Sequence, residues 1–204
     1  MSQKDHWEHI YETKAPTQVS WYQEHSLKSL EFIDHTGIPK TAHIIDVGGG
    51  SSVLVEDLLN YGYQHITVLD ISAAALEIAQ QRLGAHAKQV TWLEADILQA
   101  RLPHHEFDLW HDRAVFHFLT QPEDRQGYVK VVKEAVKPGG HVIVATFASD
   151  GPERCSGLPV ARYEPATLHH EFGDAFTLLE STKEAHQTPF GTQQKFIYCY
   201  CRKS

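Results

Sequence analysis

Four acidic residues, each closing an apolar run, are the groups best placed for chemistry in this chain. They are Asp46 after His43-Ile44-Ile45, Asp70 after His65-Ile66-Thr67-Val68-Leu69, Asp96 shortly after Val90-Thr91-Trp92-Leu93, and Asp112 after Phe107-Asp108-Leu109-Trp110-His111. Three consecutive glycines, Gly48, Gly49 and Gly50, follow the first acid, and Asp70 stands 20 residues beyond Gly50. Apolar run, glycine turn, helix-like segment, apolar run and acid is the order of a nucleotide-binding βαβ unit, whose second acid accepts from ribose hydroxyls. Gly-x-Gly alone is a weak signal. Strand-ending acids on both sides of it make the pattern specific.

The elements that must position these groups can be read from periodicity and punctuation. Strands are expected near 42–47, 65–70, 90–94, 107–112 and 140–147, with helices near 52–60, 73–83 and 123–136. Ser72, ahead of Ala73-Ala74-Ala75-Leu76-Glu77, has the side chain of a helix N-cap. Strands separated by helix-length segments imply a parallel sheet with right-handed crossovers. In the last third, Phe176–Thr182 and Lys195–Arg202 read as two more strands, with Pro189-Phe190-Gly191-Thr192 as a turn between them. Open α/β sheets bind ligands at the carboxyl ends of their strands, where the four acids lie, so one site can gather them. No repeat, linker or low-complexity segment interrupts the chain, and residues 1–204 are expected to form one domain.

Spacing also speaks to the nucleotide. A dinucleotide fingerprint wants a third glycine at position 53, which is Val53 here. Asp46 sits two residues before Gly48, where its charge would be unwelcome beside a pyrophosphate and welcome beside a cation. S-adenosylmethionine carries an adenosine, a sulfonium and an ammonium, and no phosphate. Asp46-Val47-Gly48-Gly49-Gly50 resembles the first motif, Asp/Glu-x-Gly-x-Gly, of the class I S-adenosylmethionine-dependent methyltransferases. The likeness continues in order through Val90–Ile97, Phe107–Ala114 and Lys137-Pro138-Gly139-Gly140, the last resembling the family's turn into its fifth strand. It implies a doubly wound α/β fold, with a mostly parallel seven-stranded sheet closed by an antiparallel C-terminal hairpin. It also implies S-adenosyl-L-methionine as cofactor, held by Asp46, Gly48, Gly49, Gly50, Asp70, Ile71, Asp96 and Ile97, with His111 at the methionine end. A nicotinamide oxidoreductase and a non-catalytic binding module are the disfavoured readings.

Methyl transfer from a sulfonium is an in-line displacement with a neutral leaving group, so alignment and exclusion of water are the enzyme's main contributions. A base is needed only if the acceptor carries a proton. His111, Asp112 and His117, in or directly after the fourth strand, are the candidates. Each histidine is either a base or a satisfied packing residue. Arg113 and Phe116 of the same loop would face the acceptor. The loop lacks the Asn/Asp-Pro-Pro-Tyr/Phe tetrapeptide of enzymes that methylate amino groups of DNA bases.

Two flanking segments add detail. Trp7-Glu8-His9-Ile10-Tyr11 and Trp21-Tyr22 resemble the opening of small methyltransferases acting on lysines of elongation factor 1A and citrate synthase. In that group the segment is a lid, which implies a helical lid over residues 1–40, a cofactor core over 41–148 and an acceptor-side loop with the closing hairpin over 149–204. Trp21 would then stack on the cofactor and Tyr22 on the acceptor, or both would simply be buried aromatics. Where the lysine enzymes carry Asp-Lys-Gly-x-x-Asp, this chain has Asp112-Arg113-Ala114-Val115-Phe116-His117. The polar stretch 149–163 follows the fifth strand, and its Arg154 or Arg162 can hold an anionic acceptor while Cys155 lines the pocket. A small-molecule acceptor, such as a thiol, is the first expectation and a protein lysine the second.

Composition sets outer bounds. The net charge of −8, without a dense basic run, argues against nucleic acid as partner. The apolar run Val142–Ala148 is too short to span a bilayer, and no signal-peptide pattern opens the chain, so no membrane partner is expected. Cys155, Cys199 and Cys201 are an odd set without metal-knuckle spacing, which favours free thiols and the cytoplasm. The 15 histidines form no zinc-like set, and no metal is expected.

Overall fold

The computed structural model describes residues 2–204. Helices α1 (Gln3–Thr13) and α2 (Leu27–Thr36) precede strand β1 (His43–Val47), which is followed by α3 (Leu54–Asn60), β2 (His65–Asp70), α4 (Ala73–Leu83) and β3 (Val90–Glu94). Next come β4 (Phe107–Arg113), α5 (Pro122–Ala135) and β5 (Val136–Phe147). A two-residue hairpin, β6 (Arg154–Cys155) and β7 (Leu158–Pro159), leads to α6 (Pro165–Phe172) and the long hairpin β8 (Phe176–Gln187) and β9 (Gln193–Lys203).

Seven strands form one sheet in the order β3-β2-β1-β4-β5-β9-β8. Neighbours from β3 through β5 are parallel, and β9 runs antiparallel to both β5 and β8. This is the expected doubly wound architecture with a closing hairpin. The strand order reverses between β1 and β4, which opens the crevice where such sheets bind ligands. Across it, Asp46 lies opposite His111 and Val47 opposite Asp112.

The sheet is apolar on both faces because helices cover both. One face packs Trp110, Val132, Tyr128, Leu168 and Phe172 under α5 and α6. The other packs Phe32, Ile33, Leu58, Phe147 and Tyr198 under α2 and α3. Local chemistry sets the helix ends. Ser72 Oγ accepts from the Ala75 amide at 3.1 Å, and Pro122 with Glu123 and Asp124 opens α5.

The fifth strand starts earlier than expected. Lys137-Pro138-Gly139-Gly140 lies inside β5 as an irregular stretch with a register shift against β4, not as a turn before it. A Cβ on Gly140 would come within 2.8 Å of the Lys137 carbonyl oxygen, so only glycine fits that close approach. Lys137 Nζ donates to both carboxylate oxygens of Asp108 at 2.9 and 2.8 Å, tying the start of β5 to β4. Among the described residues no helix is long and apolar enough to cross a membrane.

Candidate active site

Two adjoining cavities open above the switch crevice, with empty volumes of about 780 and 570 Å³. Gly48, Tyr11, Trp21 and Arg113 lie on the walls of both. The first cavity runs along the ends of β2 and β3, past Asp70, Ile71, Asp96 and Ile97, to Phe118 and Cys155. The second lies over the end of β1, beside Asp46, Gly49, Ser52, Tyr22, Ser29 and His111.

The glycine turn exists to let other groups approach. Gly48 has a φ of +70°, and a Cβ there would lie 2.0 Å from Val115 Cγ2 of the loop after β4. A Cβ on Gly49 would meet Asp46 Oδ2 at 2.3 Å, and one on Gly50 would meet Ala75 Cβ at 2.5 Å. Gly50 therefore serves the packing of the loop on α4, while Gly48 and Gly49 face the cavities. The Gly50 amide donates to Asp70 Oδ2 at 3.0 Å and the Ser72 amide to Asp70 Oδ1 at 2.9 Å. Burial pushes the Asp70 carboxyl up to about 6, against the pull of those amides.

Asp46 is aimed by His111, a role that its place at the end of β4 does not reveal. His111 Nδ1 bonds Asp46 Oδ1 at 2.7 Å, and its Nε2 meets Ser29 Oγ of α2 at 2.8 Å. The other carboxylate oxygen, Oδ2, is buried without a hydrogen-bond partner. An acceptor left open on a cavity wall is the mark of a group awaiting a donor.

Several expected site residues lie elsewhere. Asp112 is fully buried and lines neither cavity. It accepts from the Val115 and Phe116 amides at 2.9 and 3.0 Å and from Tyr128 Oη at 2.5 Å, so it folds the loop and does not reach a substrate. His117 is fully buried against Phe147 and Phe118, and burial, with Arg113 adding to it, lowers its imidazole to about 3. Phe116 packs on Tyr128, Tyr163 and Phe172 in the core. Arg162 is exposed and ties back to the Gly151 carbonyl and Glu153. These placements correct the catalytic expectation for Asp112 and His117 and the acceptor-binding expectation for Phe116 and Arg162. His111 remains on the wall with both ring nitrogens engaged, which makes it a positioning group for Asp46 and removes it as a free base.

Helix α1 roofs the first cavity with Gln3, Trp7 and Tyr11. Trp7 packs edge-on against Phe118 at 5.1 Å and Trp21 at 5.7 Å between ring centroids. Its Glu8 accepts from the Ala73 and Ala74 amides at 3.1 and 3.0 Å and from Ser72 Oγ, capping α4 from outside. Only a contact 64 residues away in sequence could reveal this cap. Replacing Glu8 with Ala should lower stability by about 1 kcal/mol, the usual worth of a helix cap, read as a shifted urea midpoint at constant m-value. Cys155 is buried at the edge of this cavity, and burial pushes its thiol up to about 12 from 9.0. Its alkylation by iodoacetamide at neutral pH should run about a thousandfold slower than that of an unperturbed thiol, as followed by mass spectrometry.

The methyltransferase-domain family matches residues 44–140, from β1 into β5, and so takes in the glycine turn and all four strand-ending acids. Residues 44–140 are thus matched as a methyltransferase domain, and the fold around them is that of class I S-adenosylmethionine-dependent methyltransferases. This methyltransferase is 25% identical to EEF1A lysine methyltransferase 2 of Danio rerio over 157 residues, covering 70% of its own length and 67% of the relative's. Its fold superposes with a TM-score of 0.81 on a structure from work on the conversion of a disulfide bond into a thioacetal group during echinomycin biosynthesis. That match is at 15% identity and covers 100% of this chain and 93% of the other. It also superposes on Burkholderia thailandensis 1,6-didemethyltoxoflavin-N1-methyltransferase, which holds S-adenosylhomocysteine and 1,6-didemethyltoxoflavin, with a TM-score of 0.73 at 18% identity, over 98% and 87% of the two chains. The methyltransferase's cavity walls suit the cofactor's chemistry: an acid for each polar end, apolar side chains between, and an unpartnered carboxylate oxygen for a cation.

Proposed function

We propose that the chain methylates a small-molecule nucleophile, with residues 1–204 working as one domain. In this reading Asp70 accepts from the ribose hydroxyls and Asp96 from the adenine edge, while Ile71 and Ile97 flank the ring. Asp46 Oδ2 accepts from the cofactor ammonium, Gly48 and Gly49 admit the methionine chain closely, and Trp21 covers it. The bound cofactor supplies an electrophilic methyl on a sulfonium. The protein's share is to align the acceptor behind that methyl and keep water out. Among the described residues the wall carboxylates are taken up by the cofactor in this reading and His111 has both ring nitrogens engaged, so the acceptor arrives as its own nucleophile. A thiol meets that demand, since a useful fraction is thiolate near neutrality.

The observation that carries the small-molecule reading is the roof. Trp7 packs on both Trp21 and Phe118 above the first cavity, so the chain's own aromatic side chains roof it. A protein lysine is the second reading, favoured by the likeness to EEF1A lysine methyltransferase 2. The test is transfer of labelled methyl from S-adenosylmethionine into size-fractionated lysate, with headspace trapping. Label in the small or volatile fraction supports the proposal. Protease-sensitive label in the large fraction sinks it and promotes the lysine.

A further inference from the structure

Among the described residues Arg113 is the one Arg or Lys side chain on either cavity wall, beside Asp46, Asp70 and Asp96. Its side chain is only 10% exposed. The guanidinium sits over the Phe196 ring, its Cζ 4.2 Å from the centroid, with Nε donating to Tyr198 Oη at 3.0 Å. Nη2 has no hydrogen-bond partner, and the Glu184 carboxylate stops 3.6 Å away, with its Oε2 likewise unpartnered. A buried guanidinium whose fork is anchored on one edge and unsatisfied on the other is a preorganised receptor for a planar anion.

The sheet order says which anion. Adenosine chemistry belongs to the ends of β2 and β3, and the ammonium acceptor Asp46 to β1. Arg113 ends β4 and leans towards Phe196 and Tyr198 on β9 and Glu184 on β8, on the opposite side of the crevice. We infer that Arg113 is the specificity residue for an anionic acceptor, a small molecule whose carboxylate pairs with the guanidinium while its nucleophile meets the cofactor methyl. This rests on the proposed small-molecule methyl transfer and narrows it. The same charge repels an acceptor ammonium, so it works against a lysine. Glu184 holds the guanidinium in place when no acceptor is present and yields to a carboxylate that can make the hydrogen bonds Glu184 does not.

The test uses the full chain saturated with S-adenosylhomocysteine and titrated with benzoate, benzamide and benzylamine, matched in shape and different in charge, with tryptophan fluorescence as readout. Benzoate should bind at least tenfold more tightly than benzamide, and benzylamine most weakly. Arg113→Gln should erase the benzoate preference, Arg113→Lys should keep part of it, and Glu184→Gln should strengthen benzoate binding severalfold. The cofactor's own carboxylate is the competing source of the anion. If Arg113→Gln weakens S-adenosylhomocysteine tenfold but leaves 5′-methylthioadenosine, which lacks the amino-acid end, unchanged, the arginine serves the cofactor and the inference is overturned. Equal binding of all three probes to the wild-type protein overturns it as well. Failure of S-adenosylhomocysteine to bind at all sinks the proposed function, and this inference with it.

Discussion

Replacing Asp70 with Ala should weaken S-adenosylmethionine binding by about a hundredfold or more. In the proposed complex the carboxylate takes two ribose hydroxyls. Charge-assisted bonds are worth about 1.5–3 kcal/mol each, and about 1.4 kcal/mol is tenfold in affinity. The same carboxylate orders the pocket in advance by fixing the Gly50 and Ser72 amides. Asp70→Asn keeps the shape and loses the charge, so calorimetry on both variants separates the two contributions. The pH dependence carries its own sign. Burial raises Asp70 from 3.8 to about 6, and the ionised form is the one that accepts from the ribose, so affinity should fall as pH drops through about 6. Stability runs the other way: a raised carboxyl contributes fully below about 3.8, and that contribution is lost as pH rises through about 6. Asp112, also pushed up to about 6 by burial, moves stability in the same direction. Asp112 lines neither cavity, so its titration stays out of the affinity profile, and Asp70→Asn should remove the component centred near 6.

The second large effect is on folding. Asp112→Ala should destabilise the protein by about 3–5 kcal/mol, because three donors lose their acceptor in a dry interior. The Val115 and Phe116 amides and Tyr128 Oη all converge on this carboxylate, and Tyr128 Oη in turn accepts from Trp110 Nε1 at 2.9 Å. Asp112→Asn retains one acceptor and should cost less. Urea unfolding measures both. An Asp112→Ala protein with wild-type stability and abolished turnover would restore the catalytic role that the geometry denies it. The loss of the loop also bears on the pocket, since Val115 is the residue that a Cβ on Gly48 would strike.

What the sequence made legible was local. Strand, glycine turn, helix and terminal acid lie within a few residues of one another, so Asp46, Asp70 and the order of β1 to β5 could be read from spacing. Asp112 looked catalytic because it ends a strand at the crevice, yet successive strand residues face opposite sides of the sheet. His111 takes the site side and Asp112 the core under α5. Ser29, Glu8 and the Arg113–Glu184 pair were not legible, because each acts across 64 or more residues of chain. Lys137-Pro138-Gly139-Gly140 misled for the opposite reason. Its glycines do reverse the chain locally, as a bulge: β4 pairs with Val136 before the stretch and with His141 after it, so the strand runs on across it.

The family match begins at residue 44 and stops at 140, but the chamber does not. Trp7, Tyr11, Trp21 and Ser29 enter it from one side of that span and Cys155 from the other, and the α2 hydroxyl even aims the histidine that holds Asp46. In the proposed complex the matched span is a cofactor socket, and residues on either side of it complete the front. Grafting the first forty or so residues from one such chain to another would exchange part of the vessel in which the reaction occurs. Selectivity would travel with the graft while the cofactor stayed the same.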